Sequence, residues 1–179
     1  MKNNIDINYV KSELVKIQRY FLEQKFEKVI EKTKRLLKKG PNQVPFYNYI
    51  GLAYRQLGQN LNAEKTLKKG LEIFPDNLSI ICNLGALYRF MSRFKEANHY
   101  FKKGLKIKAD DFNVLCNYGN LKRDLNQNKE AIEYYNKAYK INKLNETLLI
   151  NLAGAYQIDA EFEASKKILN EINNNFPRN

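Results

Sequence analysis

The sequence predicts an all-α solenoid of about five stacked helix-turn-helix units, and three observations predict it. Gly51, Gly85 and Gly119 stand 34 residues apart. Arg55, Arg89 and Arg123, like Ala63, Ala97 and Ala131, keep the same interval. Within each interval, apolar and small residues recur at i, i+3, i+4 and i+7, the spacing that places them on one helix face. A fixed period of this size marks a repeat array, whose broad stacked surface is normally used for binding rather than chemistry.

Units set to begin at Val44, Leu78, Phe112 and Glu146 align without a gap, giving segments 44–77, 78–111, 112–145 and 146–179. An earlier, degenerate unit covers 10–43, behind an N-terminal extension of residues 1–9, and ends on Gly40-Pro41, with Pro41 one period before Pro75. The last unit is anchored by Phe74-Pro75-Asp76-Asn77, which recurs as Phe176-Pro177-Arg178-Asn179. In the unit from Leu78 the first helix carries the stripe Ile81, Leu84, Gly85 and Tyr88. The second carries Ala97, Phe101 and Gly104, after the polar break Ser92-Arg93. Glycine inside a helix costs about 1 kcal/mol relative to alanine. Small residues at the eighth, twentieth and twenty-seventh places of the unit are therefore expected where neighbouring helices come close.

Composition agrees with a folded, non-membrane protein. The chain has 179 residues, 44% hydrophobic, with only eight Gly and four Pro, which disfavours disorder. No apolar run approaches the roughly 20 residues of a membrane span. The start, Met1-Lys2-Asn3-Asn4-Ile5-Asp6, lacks the basic-then-apolar order of a secretory signal. A cytoplasmic location is expected. Cys82 and Cys116 are one period apart, so they occupy equivalent places in neighbouring units. Equivalent atoms of stacked helices lie roughly 8 to 10 Å apart, beyond disulfide reach, and both are read as reduced small hydrophobes. The formal charge of +12, from 31 basic and 19 acidic residues, invites a nucleic-acid reading. Lys38-Lys39, Lys68-Lys69, Lys102-Lys103 and Lys137, however, sit late in their units, on the second helices, where a spread, solvated outer face is the expected role.

The unit pattern resembles that of the tetratricopeptide repeat family. The matching residues are Tyr47, Ile50-Gly51, Tyr54, Ala63, Leu67 and Pro75 in one unit, and Ile81, Leu84-Gly85, Tyr88, Ala97 and Phe101 in the next. Leu115, Tyr118-Gly119, Ala131, Tyr135 and Ala138 match in the third. The fourth carries Leu149, Leu152-Ala153 and Tyr156 but departs with Ser165 where Ala is expected. The resemblance spans residues 10 to 179 and implies a right-handed superhelix whose first helices line a concave groove.

On a helix each residue turns by about 100°, so the sixth place of the unit points away from the packed stripe and is expected to face that groove. It holds Asn83, Asn117 and Asn151. A column of carboxamides suits an extended peptide, because each amide both donates to and accepts from main chain. The arrangement looks like the asparagine ladder of the O-linked N-acetylglucosamine transferase superhelix, and Asn117 to Arg123 is particularly similar to that family's repeats. The alternative role of these amides is hydrogen bonding to a neighbouring helix. Arg55, Arg89 and Arg123 share the twelfth place and are expected to line one wall, pairing with acidic ligand side chains, or else covering apolar surface with their stems or pairing with acids within the array. Asn48, Asn113 and Asn120 extend the polar lining. A carboxylate clamp for chaperone C-termini needs Lys and Asn in one unit, Asn in the next, and Lys and Arg in the third; those places hold Asn48, Leu52, Asn83, Asn113 and Asn117, and only Asn83 fits.

No Gly-rich phosphate loop, H-E-x-x-H or G-x-S-x-G motif occurs. The lone His99 has no nucleophile in register, and two cysteines with one histidine do not make a four-ligand zinc site. Glu96, Glu130 and Glu133 sit near second-helix starts, where they complement the helix dipole. The expected function is a non-enzymatic module, without cofactor or metal, binding a protein or an extended peptide with acidic residues. Two rivals are a substrate-presenting arm of a larger glycosyltransferase or sulfotransferase and, ranked lower, a basic nucleic-acid-binding surface. Ile168, Leu169 and Ile172 of the last unit are expected to lack a covering helix, which points to a homodimer or a further domain at the C-terminal end.

Overall fold

The structure is a computed structural model that describes residues 7–39 and 42–177. Residues 1–6 of the expected extension, the Gly40-Pro41 terminator and Arg178-Asn179 lie outside the described residues. The described residues form ten α-helices and no strand. They divide into two compact units, Met1–Met91 and Ser92–Asn179.

The first unit holds α1 (Ile7–Leu22), α2 (Phe26–Lys39), α3 (Val44–Gln56), α4 (Asn60–Ile73) and α5 (Leu78–Phe90). α1 starts upstream of Val10. Each helix packs on the next in sequence, and the odd-numbered helices also touch one another, α1 on α3 and α3 on α5. The core joins Val10 and Ile17 of α1, Val29, Ile30 and Leu36 of α2, and Phe46, Ile50 and Ala53 of α3. The second unit holds α6 (Phe94–Ile107), α7 (Phe112–Asp124), α8 (Asn128–Ile141), α9 (Glu146–Ile158) and α10 (Phe162–Asn175). It repeats the pattern, with α7 touching α9, around Leu115, Ala131, Tyr135, Leu149, Leu152 and Ile168.

Local chemistry explains where these helices start and stop. Asn77, Asp111 and Asn145, one period apart, cap α5, α7 and α9 by accepting from the backbone N–H of Ile80 (3.1 Å), Val114 (3.1 Å) and Leu148 (2.9 Å). α3 lacks a side-chain cap and has Pro45 in its first turn instead. The turn inside each helix pair is set by one left-handed residue, at Gln24, Gly58, Ser92, Asn126 and Ala160. These too are one period apart. At Gly58 the geometry is a Schellman closure, with Gly58 N–H bonded to Arg55 C=O at 3.0 Å and Gln59 N–H to Tyr54 C=O at 2.9 Å.

The small residues stand where helices touch. A Cβ on Gly51 would fall 2.6 Å from Cγ of Leu67, one on Gly119 2.5 Å from the Tyr135 ring, and one on Gly70 2.7 Å from Cβ of Tyr47. Ser165, in place of the expected Ala, is buried and donates its hydroxyl to the Ala153 carbonyl at 3.0 Å, so the substitution leaves no orphaned polar group. The end of the array corrects one expectation. Ile168 and Ile172 are buried within the second unit, and of that trio only Leu169 is exposed. The two isoleucines lie on the α10 stripe that faces α9, which covers them without any following helix.

Candidate functional site

In the first unit, packing of α3 on α5 brings Asn48 beside Asn83. Asn83 donates from Nδ2 to Oδ1 of Asn48 at 2.9 Å, Asn48 donates to Oγ of Ser79 at 2.8 Å, and Ser79 donates to Oδ1 of the capping Asn77 at 2.7 Å. A continuous chain of side-chain hydrogen bonds thus links the middle of α3 to the N-terminus of α5. Asn83 is half-buried, and its Oδ1 accepts no hydrogen bond among the described residues.

Arg55 lies two turns along α3 from Asn48, on the same face. Its guanidinium is half-buried and has no carboxylate partner among the described residues. Burial, reinforced by the positive charge of Arg89 on α5, pulls it below the ordinary arginine range while leaving it cationic at neutral pH. Two guanidinium groups are therefore held near one another on a partly dehydrated surface.

In the second unit, α7 and α9 repeat the relationship with other partners. Arg123 donates from Nη1 to Oδ1 of Asn151 at 3.0 Å. Nδ2 of Asn151 donates no hydrogen bond among the described residues. Asn117 donates to the Asn113 carbonyl of its own helix at 2.9 Å. Asn120 is held by its helix pair, because Tyr135 Oη donates to its Oδ1 at 2.7 Å. The first-helix amides therefore take part in hydrogen bonds within the protein, the alternative that the sequence left open, and Asn83 and Asn151 each retain one polar group.

The structure adds a set of polar ties that sequence reading missed. Tyr88 donates to Glu64 (2.8 Å), Tyr118 to Asn98 (2.7 Å), and Tyr156 accepts from Asn136 Nδ2 (2.9 Å) and donates to its Oδ1 (3.3 Å). Each joins a first helix to the second helix preceding it. Lys122 occupies the place that holds Tyr54, Tyr88 and Tyr156 in other units; it is buried yet paired with Glu130 at 2.6 Å and lies over the Tyr118 ring. Burial, helped by neighbouring Tyr134, raises the Tyr118 phenol to about 12. Glu64 and Asn98 hold equivalent places in their units and Asn136 stands four residues further on in its own, so nothing in the period alone pairs these polar residues with the tyrosines.

Candidate chemistry elsewhere is sparse. His99 is exposed, edge-on to Tyr100. Glu96 pairs with Arg93 at 2.7 Å. Cys82 is buried and Cys116 half-buried, both as thiols; burial, then the negative Asp111, pushes the Cys116 thiol up to about 12. Among the described residues no cluster of three or more His, Cys, Asp or Glu side chains could hold a metal ion. No helix among them is long and apolar enough to cross a membrane.

Solved structures with this arrangement include one from Pseudomonas aeruginosa pilF, which superposes with a TM-score of 0.82 at 14% identity over 94% of this chain and 77% of that one. The thermophilic tetratricopeptide protein TTC0263 of Thermus thermophilus gives 0.81 at 13% identity, covering 94% and 92%. MamA from Desulfovibrio magneticus RS-1 gives 0.72 at 16%, covering 92% and 93%. At these identities the likeness is one of fold. No curated protein matches the sequence significantly. Two family profiles, both described as Tetratricopeptide repeat, match residues 42–110 and 112–143, together more than half of the chain. The chain belongs to the tetratricopeptide repeat family.

Proposed function

We propose that the chain is a non-enzymatic protein-interaction scaffold whose first helices hold an extended segment of a partner protein. Asn83, Asn117 and Asn151 grip the segment's main chain, in the manner of the asparagine ladder, while Arg55, Arg89 and Arg123 receive its acidic side chains. Asn48, Asn113 and Asn120 complete the polar surface. The observation that carries this reading is the state of Arg55, a half-buried cation beside a second arginine, with no carboxylate partner among the described residues. A partner carboxylate there gains a charge-assisted bidentate bond and offsets the like-charge repulsion. The net charge of +12 favours an acidic partner through long-range attraction.

The test is selection of 12-residue peptides from a random display library against the whole chain, followed by affinity measurement on the winners. Peptides rich in Asp and Glu are expected, with at least tenfold weaker binding to a variant carrying Asn83→Ala, Asn117→Ala and Asn151→Ala. Unchanged affinity for that variant would refute the ladder.

A further inference from the structure

An open cleft between α2, α3 and α4 measures about 440 Å³, within the range of about 300 to 1,000 Å³ usual for small-molecule sites. Lys34 and Lys38 line it from α2 and Lys65 and Lys69 from α4, while Leu37 and Tyr54 supply half-buried apolar and aromatic wall. Among the described residues no carboxylate lines it. Other clefts of the first unit carry their own acids, Glu13 and Glu31 between α1 and α2, and Glu64 and Glu72 along α4. Lys68, next to Lys69, is paired with Glu64 at 2.7 Å. None of the four cleft lysines is paired with a carboxylate among the described residues. Lys34 is held in place, its Nζ donating to Tyr54 Oη at 2.6 Å and lying 5.2 Å from the ring centroid.

Four lysines lining one concavity with no carboxylate among the described lining residues repel one another, and a concave wall focuses their field. Lysine binds phosphate as a point charge, an attraction that salt screens. Lysines stand on both the α2 and the α4 wall, so a ligand with several phosphates can use more of them than a single phosphate can. The size of the cleft fits a small molecule rather than a helix or a duplex. We propose that this cleft binds the polyphosphate chain of a small organic phosphate of the nucleoside triphosphate kind, with Leu37 and Tyr54 against its organic body. The site is distinct from the partner-binding face. On α3, Tyr47, Ile50 and Tyr54 form the stripe toward the cleft, and Asn48 and Arg55 form another about 100° round the helix.

The experiment is calorimetric titration of the whole chain with magnesium-free ATP and with inorganic triphosphate at low salt. Saturable binding of both is expected, with ATP the tighter by a few fold and both weakened at least tenfold by raising salt from 50 to 300 mM. A variant carrying Lys38→Gln, Lys65→Gln and Lys69→Gln changes only exposed side chains and should lose at least tenfold in affinity while melting normally. The charge-matched control, Lys102→Gln, Lys106→Gln and Lys140→Gln, should bind as the parent does. Absence of saturation with either probe, or equal loss in both variants, would overturn the proposal.

Discussion

Arg123 on α7 and Asn151 on α9 are joined by a 3.0 Å hydrogen bond from guanidinium to carboxamide, tying one first helix to the next. A hydrogen bond to a charged group contributes about 1.5–3 kcal/mol when well shielded, and less where water reaches it. Because both side chains are half-buried, a double-mutant cycle of Arg123→Ala and Asn151→Ala in urea should show a coupling of about 1 kcal/mol. Coupling near zero would mean that the contact is solvent-screened and carries no stability.

Gly70→Ala sets two effects of opposite sign against each other. Alanine gains about 1 kcal/mol in helix propensity, but its methyl would lie 2.7 Å from Cβ of Tyr47, an atom fixed to the α3 backbone. Overpacking costs about 1–3 kcal/mol, and Tyr47 cannot swing away, so a net loss of stability is expected in chemical denaturation.

The left-handed turns make a paired prediction. Gly58 and Ala160 occupy equivalent places at φ 71 and 61. A Cβ in that conformation costs about 1–2 kcal/mol, partly offset by the greater freedom of unfolded glycine. Ala160→Gly should raise stability by about 0.5 kcal/mol and Gly58→Ala should lower it by about 1 kcal/mol. Thermal melts of the two variants should shift in opposite directions.

Glu13 on α1 supplies the pH dependence. Burial acts to raise its carboxyl, but hydrogen bonds from Lys16 and Lys32, both at 2.7 Å, outweigh it and hold the group below its ordinary value. A folded-state pKa below the unfolded one adds stability that is present above the unfolded carboxylate range and is lost as pH falls through the folded value. Stability should therefore decline on acidification below about pH 4.5, and Glu13→Gln should flatten that limb while lowering stability at pH 7. A parallel loss at all pH values would contradict the assignment.

The thiols should be inert. With Cys116 pushed up to about 12 and Cys82 buried, alkylation by iodoacetamide at pH 7.5 should be slow in the native protein and fast for both residues in guanidinium.

Much of the fold was legible in the sequence because a period of 34 residues fixes which side chains face inward. The starts of α3, α5, α7 and α9 at Val44, Leu78, Phe112 and Glu146, and the close approaches at Gly51, Gly70 and Gly119, follow from it. Periodicity says nothing about which of several polar neighbours a side chain chooses. The Asn83–Asn48 and Arg123–Asn151 bonds sit at non-equivalent pairs of places, so the column of amides seen in sequence becomes a set of different local partnerships. Lys122 was equally hidden, since its burial depends on Glu130 of the following helix. The burial of Ile168 and Ile172 follows from their facing α9, which outward-looking reasoning from the last helix overlooked.

The central claim, that the first-helix face receives the partner, is tested most directly by nuclear magnetic resonance of the side-chain amides as a selected acidic peptide is titrated in. Concentration-dependent shifts of the Asn83, Asn117 and Asn151 carboxamide signals and of the Arg55 Nε–H, saturating together, are expected. Shifts confined to the second helices α2, α4, α6, α8 and α10, with those signals unmoved at saturation, would contradict it.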